Sequence, residues 1–399
     1  MNRRDFLKSL AVLLSSYKLI SPFARSCAAT DQLCFSIPPT TLHVGENEAV
    51  VYFRLSQLTN NAELIISQQR EVIQTIPLSS EQNHHVITIA NLEPSSVYQV
   101  RIEVDRQEPV YLDSDGGWGG ISFRTQPYEW PIRFAALGDS GFGDETTATL
   151  ASYIAQHEIH FFMHLGDVVY FHEQYEGDFY QNWAHKYYLP FKDILRHVPH
   201  YPTLGNHDRE ASTILDGRSF YHWAFPPFKE SEAYEGLRQW YSFVVNDVQF
   251  LSLNSQVFYT DNSRSEQNQW LNERLAEDGF RTQIPFFHIP FWTSGTVHQN
   301  DGLPVAQTWE GRFIDHSDQI GVVLNGHSHL YERFFRNNVH YITSGGGSST
   351  VYDHGDSVAG SQAVFSIAHY ILVEVYQDHL VVQAYNSDNE MFDEAEWEI

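Results

Sequence analysis

The stretch Ile159-His160-Phe161-Phe162-Met163-His164-Leu165-Gly166-Asp167-Val168-Val169-Tyr170 decides how this chain is read. A short, mostly apolar run reads as a buried strand, and it stops on Gly-Asp. Glycine lets the backbone approach closely, and an acid just past a strand end is where layered α/β folds assemble their sites. The same grammar recurs along the chain. Arg133 to Leu137 runs into Gly138-Asp139-Ser140-Gly141, and a weaker run, Pro202 to Leu204, into Gly205-Asn206-His207-Asp208. Ile284 to Phe287 runs into His288, and Gly321 to Leu324 leads to Gly326-His327-Ser328-His329-Leu330-Tyr331-Glu332-Arg333. Helical stretches separate these runs, at Thr146 to His157 and at Gln267 to Glu277, where Trp270, Leu271 and Leu275 share a face. Strands alternating with helices predict an α/β fold of layered sheets flanked by helices over residues 128–399.

Ahead of it, residues 30–127 read as an all-β sandwich. Ala49 to Leu55, Leu64 to Ile66, His85 to Ile89 and Tyr98 to Val104 have strand patterning. Leu92-Glu93-Pro94-Ser95-Ser96-Val97-Tyr98, followed by alternating Val100, Ile102 and Val104, resembles the tyrosine corner of fibronectin type III domains. The glycine-rich turn Asp115 to Gly120 leads to a last strand ending Phe123-Arg124-Thr125. Pro127 and Pro131 bracket the boundary between the two units.

The 399 residues suit two domains and a leader, and 42% hydrophobic with 15% aromatic residues is a globular composition. The formal net charge of -26 repels nucleic acid and anionic membrane, so neither is an expected partner. Met1-Asn2-Arg3-Arg4-Asp5-Phe6-Leu7-Lys8, a short apolar stretch and Ala28-Ala29 resemble a twin-arginine export signal over residues 1–29. The expected destination is therefore periplasmic or extracellular. The apolar stretch is too short for a stable membrane span. Of the two cysteines, Cys27 leaves with the leader, so Cys34 is expected to have no partner and the mature protein no internal disulfide.

The ligand candidates within the five motifs are two Asp, one Asn, three His and one Tyr. That donor set suits two adjacent cations sharing a carboxylate. Two ions about 3.5–4 Å apart clamp the attacking and leaving oxygens of an in-line phosphoryl displacement and acidify bound water. His327-Ser328-His329 serves two ions, because alternate residues of an extended segment point different ways. No cysteine cluster competes, which favours harder ions.

In this order the motifs resemble the calcineurin-like metallophosphoesterases. Tyr170, three residues after Asp167, narrows the resemblance to the purple acid phosphatases, as do the ending Gly-His-Ser-His-Leu-Tyr-Glu-Arg, Trp240-Tyr241-Ser242-Phe243 and the helix around Gln269-Trp270-Leu271. The resemblance covers residue 40 or so to the end. It implies Fe(III) on Asp139, Tyr170 and His329, and Zn(II), Mn(II) or Fe(II) on Asn206, His288 and His327, with Asp167 bridging. It implies that His207 meets substrate phosphate or protonates the leaving oxygen, with His298 as a second substrate-side histidine. The loop Pro290 to Val297 before His298 departs from the plant pattern. The implied reaction is hydrolysis of a small-molecule phosphate monoester by in-line attack of metal-bound hydroxide at acid pH. The same site could serve a phosphodiesterase or nucleotidase, and a surface binding protein with a structural metal is the rival from another class. Gly345-Gly346-Gly347 is expected to form a tight turn near the site, and His164 to be a core histidine.

Overall fold

The computed structural model describes residues 33–111, 118–171, 179–209, 214–215, 218–227, 239–260 and 264–399. The leader lies outside them, as do residues 115–117 of the glycine-rich turn. Among the described residues no helix is long and apolar enough to cross a membrane.

Period-two patterning builds the N-terminal half. Its strands are β1 (Phe35–Val44), β2 (Glu48–Leu55), β3 (Ala62–Gln68), β4 (Glu71–Pro77), β5 (His84–Ala90), β6 (Val97–Val104) and β7 (Ile121–Arg124). They pair as β1-β2-β5 and β4-β3-β6-β7, two antiparallel sheets. In β6, Tyr98, Val100, Ile102 and Val104 are buried while Val97 and Gln99 are exposed, so one face meets the core shared with Leu64, Ile66 and Phe53. The expected tyrosine corner is present: the Glu93 N–H donates to Tyr98 Oη at 2.8 Å. Cys34 is disulfide-bonded in the full chain, leader sequence included. The expectation of an unpaired Cys34 concerned the mature protein after loss of Cys27, which lies outside the described residues.

The second half is two mixed sheets face to face. One has order β10-β9-β8-β20-β21-β22, from β8 (Ile132–Leu137), β9 (Phe161–His164), β10 (His200–Pro202), β20 (His369–Val375), β21 (His379–Asn386) and β22 (Met391–Glu398). The other has order β13-β14-β15-β16-β18-β17-β19, from β13 (Tyr241–Val245), β14 (Val248–Ser252), β15 (Thr282–Phe287), β16 (Val323–Asn325), β17 (Tyr331–Arg336), β18 (Val339–Ser344) and β19 (Ser361–Phe365). The ribbon β11 (Ile214–Leu215) with β12 (Arg218–Ser219) lies apart. Phe134, Phe161, Phe250 and Phe286 meet between the sheets. Helices Arg264–Leu275 and Leu303–Asp315 cover the outer face of the larger sheet through Leu271, Leu275, Trp309 and Phe313. Helix Glu145–Ile154 covers the other, starting on Asp144, whose side chain accepts the Thr147 N–H. The two halves pack together: Tyr111 and Trp118 set their rings edge-on to Tyr188, and the Arg54 guanidinium lies 5.0 Å over Trp223.

The parallel strands are the inner ones. β8, β9 and β10 run parallel, as do β14, β15, β16 and β18. Their C-terminal ends therefore open on one edge of the sandwich, and all five motifs begin there.

Candidate metal centre

Three of the motifs leave their strands through a left-handed turn residue. Asp139, Asp167 and His327 adopt φ of +62°, +55° and +67°, a left-handed conformation that costs a non-glycine residue about 1–3 kcal/mol. Gly166, at φ +93°, makes such a turn possible, and a Cβ there would lie 2.5 Å from His288 Nδ1. The strain aims the three side chains into one buried space.

At its centre Asp139, Asp167 and His288 present ligand atoms all within 4.8 Å of one another. His288 Nε2 lies 3.4 Å from Asp167 Oδ1, 3.9 Å from Asp139 Oδ1 and 3.1 Å from Asn206 Oδ1. Its Nδ1 faces the Leu165 carbonyl at 2.8 Å. Tyr170 Oη donates to Asp139 Oδ1 at 3.3 Å and sits 3.1 Å from His329 Nε2. His329 Nδ1 in turn faces the Thr350 carbonyl at 2.9 Å. His327 donates its backbone N–H to Asp139 Oδ2 at 2.7 Å, and its Nε2 lies 3.0 Å from Asp301 Oδ2. The structure thus brings together all seven residues expected to hold metal.

Their chemistry fits cations. A carbonyl or carboxylate on one imidazole nitrogen, with the other nitrogen facing oxygen ligands, is the usual outer-shell arrangement of metal-binding histidines. In His288 and His329 it leaves Nε2 for a metal, and in His327 it leaves Nδ1. The charges agree. Burial disfavours the His288 imidazolium, yet Asp167 and Asp139 raise its pKa to about 10. Burial likewise opposes ionisation of Asp167, but His288 outweighs it and holds the carboxyl well below its ordinary range. Two buried carboxylates demand positive charge, and here a proton on His288 supplies it. Burial, with Asp139 and Asp167, pushes the Tyr170 phenol well above its ordinary value, so it gives up its proton only to a strong cation.

The two histidines expected on the substrate side, His207 and His298, are each about one-third exposed. His207 donates its backbone N–H to Asp167 Oδ1 at 2.9 Å, and its imidazole Nε2 lies 3.9 Å from Asp167 Oδ2. His298, at φ +63°, joins the site through Asp301: its Nδ1 is 2.7 Å from Asp301 Oδ2, and its ring centroid is 4.3 Å from that of His327.

Several residues support the site that were given no role in it from the motifs. Asp301 links His298 to His327. Asp208 is buried and accepts the N–H groups of Asp167, Val168 and Gly205 at 3.0, 3.1 and 2.9 Å. Its position right after Gly-Asn-His was the available clue. Lys186 is buried and donates to the Tyr170 carbonyl, with a pKa lowered to about 8 by burial. His164 is a core histidine as expected, and its Nε2 meets Ser140 Oγ at 2.8 Å beside Asp139. Gly345 packs against the site, where a Cβ would lie 2.2 Å from the Ser328 carbonyl oxygen.

Residues 132–331 match the calcineurin-like phosphoesterase family. Among curated relatives, purple acid phosphatase 22 of Arabidopsis thaliana is 29% identical over 249 residues, 60% of this chain and 54% of the relative. Probable purple acid phosphatase 20 of the same plant is 30% identical over 258 residues, 63% of this chain and 55% of the relative. The chain thus spans about half the length of the curated relatives it matches. Two solved structures share the fold: purple acid phosphatase PPD1 of yellow lupin (TM-score 0.70, 14% identity, covering 90% of this chain and 73% of that one) and PhoD (TM-score 0.69, 13% identity, covering 92% and 91%). The family match takes in half of the residues, all seven expected metal-holding residues and the strands that lead to them, so the chain belongs to the calcineurin-like phosphoesterase family.

Proposed function

We propose that this protein hydrolyses phosphate monoesters at a binuclear centre of Fe(III) and a divalent ion. The observation that carries this reading is the meeting of Asp139, Asp167, Tyr170, Asn206, His288, His327 and His329 in one buried space. Asp139, Tyr170 and His329 form the harder half, with a phenol beside a carboxylate, and suit Fe(III). Asn206, His288 and His327 suit Zn(II), Mn(II) or Fe(II). Asp167 stands between His288 and His207 and would be the ligand shared by both ions. When bound, such a pair supplies Lewis acidity toward phosphate oxygens and acidifies water.

The chain's own groups do the rest. His207, about one-third exposed, faces incoming substrate with its ring edge against Tyr170. It donates to a phosphate oxygen or hands a proton to the departing alkoxide. His298 is held by Asp301 beside His327. Burial of Asp139 and Asp167 keeps bulk water from screening these contacts. The leader's resemblance to a twin-arginine signal supports export of the folded protein.

The test is metal analysis of purified protein alongside rates on p-nitrophenyl phosphate and bis(p-nitrophenyl) phosphate. Two metals per chain and a faster monoester rate are expected. A faster diester rate would move the function to the phosphodiesterase reading, and bound metal with neither rate would leave a binding protein. An Asp167→Asn variant with full activity removes the shared-ligand role.

A further inference from the structure

We propose that Asp144 is a positioning residue for the metal centre: it holds the loop after β18 so that the Thr350 carbonyl keeps the His329 imidazole aimed at its ion. This rests on the metal-centre reading above. Asp144 lies outside the five motifs, at the start of helix Glu145–Ile154. One carboxylate oxygen caps the helix by accepting the Thr147 N–H at 2.9 Å. The other oxygen is not needed for capping. It accepts both the N–H and the hydroxyl of Ser349, at 3.0 and 2.5 Å, across 205 residues of sequence. The helix grips the same loop once more, where the buried Thr147 hydroxyl donates to the Gly347 carbonyl at 2.8 Å.

Ser349 is next to Thr350, and the Thr350 carbonyl lies 2.9 Å from His329 Nδ1. That contact takes up Nδ1 and turns Nε2 into the site, 3.4 Å from Asp139 Oδ1 and 3.1 Å from Tyr170 Oη. The carbonyl has an anchor on either side. On one side Asp144 holds Ser349. On the other the Tyr352 N–H donates to the His329 carbonyl at 2.8 Å, and the Tyr352 ring lies flat on the imidazole, with centroids 4.2 Å apart and planes 6° apart. Packing does not replace the first anchor, because Ser349 is exposed and Val351 is 36% exposed. The glycine turn just before it is fixed elsewhere: the Gly347 N–H donates to the Gly138 carbonyl at 2.9 Å, beside Asp139. Loss of the Ser349 contact therefore frees the short segment that carries the Thr350 carbonyl and leaves the rest of the loop tied.

The experiment compares wild type with Asp144→Asn in the full, metal-loaded protein. Asparagine caps a helix about as well as aspartate, so Thr147 keeps its acceptor, but the amide nitrogen cannot accept from Ser349. Metal content is followed by elemental analysis against rising chelator, together with visible absorption. His329→Ala identifies which of the two ions belongs to that half of the centre. Asp144→Asn should lose that ion at about tenfold lower chelator, the low end for loss of an outer-shell partner, and should keep the other ion at wild-type affinity. Ser349→Ala, which leaves the cap intact, should shift the same ion in the same direction. Ala148→Gly is the control for helix stability: Ala148 is exposed in the same helix, and glycine there costs about 1 kcal/mol without touching Asp144 or the loop. It should lower the thermal midpoint and leave both ions in place. Wild-type retention of both ions in Asp144→Asn overturns this inference alone. So does an equal loss of the ion in Ala148→Gly, which would mean that helix stability and not the Ser349 contact holds the loop. A wild-type protein that takes up fewer than two ions overturns the metal-centre reading and this inference with it.

Discussion

Replacing Asp208 by alanine tests whether one buried carboxyl ties two loops of the site together. Its oxygens accept three backbone N–H groups, from Asp167, Val168 and Gly205. Alanine orphans all three in a buried place, at about 1.5 kcal/mol each, or about 5 kcal/mol with the carboxyl protonated. A second effect opposes this one. Burial and the charge of Asp167 raise the Asp208 pKa from 3.8 to about 7. A carboxyl raised in the folded state contributes stability that is complete below pH 3.8 and is lost as pH climbs through 7. At about 1.36 kcal/mol per pK unit, ionisation costs wild type on the order of 2 kcal/mol by pH 5 and roughly twice that above pH 7. Alanine escapes that cost. The metal-free variant should therefore be about 3 kcal/mol less stable than wild type at pH 5 and within about 1 kcal/mol of it at pH 9. Urea unfolding of chelator-treated protein, followed by tryptophan fluorescence, measures both differences. Equal losses at the two pH values would show that Asp208 ionises without penalty. A loss below about 1 kcal/mol at pH 5 would show that the three amides do not depend on it.

Three further outcomes are expected. Tyr170→Phe should abolish the visible absorption expected of a tyrosinate on ferric iron; unchanged colour would remove Tyr170 from the ligand set. Asp301→Ala should weaken binding of the divalent ion by about 10–100-fold, the usual effect of losing an outer-shell partner, because His327 Nε2 loses its carboxylate; metal titration of the apoprotein reads this directly. In metal-free protein the His288 pKa is raised from 6.5 to about 10, so its contribution is complete below pH 6.5 and is lost as pH rises through 10. The thermal midpoint of chelated protein should accordingly fall between pH 7 and pH 10, and that of metal-loaded protein should fall less.

Most of the site was legible because its signals are local. An apolar run, a glycine and a polar residue lie within one stretch of chain, and the parallel strands bring those stretches to a single edge. The tyrosine corner is equally local. What escaped depends on distant chain. β20 joins the site's sheet by pairing with β8 across more than 200 residues of sequence, and nothing near His369 announces it. β22, Met-Phe-Asp-Glu-Ala-Glu-Trp-Glu, is an acidic edge strand whose pattern resembles a loop as much as a strand. Asp301 reads as part of a polar turn, and Tyr352 as one aromatic among many. Each enters the site because a loop folds back over it. The disulfide state of Cys34 is a separate matter, since it hinges on whether Cys27 stays with the chain.

The interlocking of the motifs supplies a last test, at Gly205. A Cβ there would lie 2.1 Å from Asp167 Oδ1 and 2.2 Å from the Asp167 backbone nitrogen. The carboxylate could rotate away, but the backbone nitrogen is fixed by its bond to Asp208. The loop after β10 must therefore retreat by about 1 Å to reach ordinary contact, carrying Asn206 with it. Overpacking of this kind costs about 1–3 kcal/mol, and a shift of that size is enough to cost about a hundredfold in rate at a positioned site. Asp139, Tyr170 and His329 lie on other loops and should be spared. Gly205→Ala should thus keep the coloured ion and lose the divalent one, as metal analysis and absorption together would show. Gly311→Ala is the matched control, since nothing lies within 4 Å of its Cβ and alanine in a helix should gain about 0.5–1 kcal/mol. Two metals and full activity in Gly205→Ala would mean that the loops are not packed against each other as tightly as this site requires.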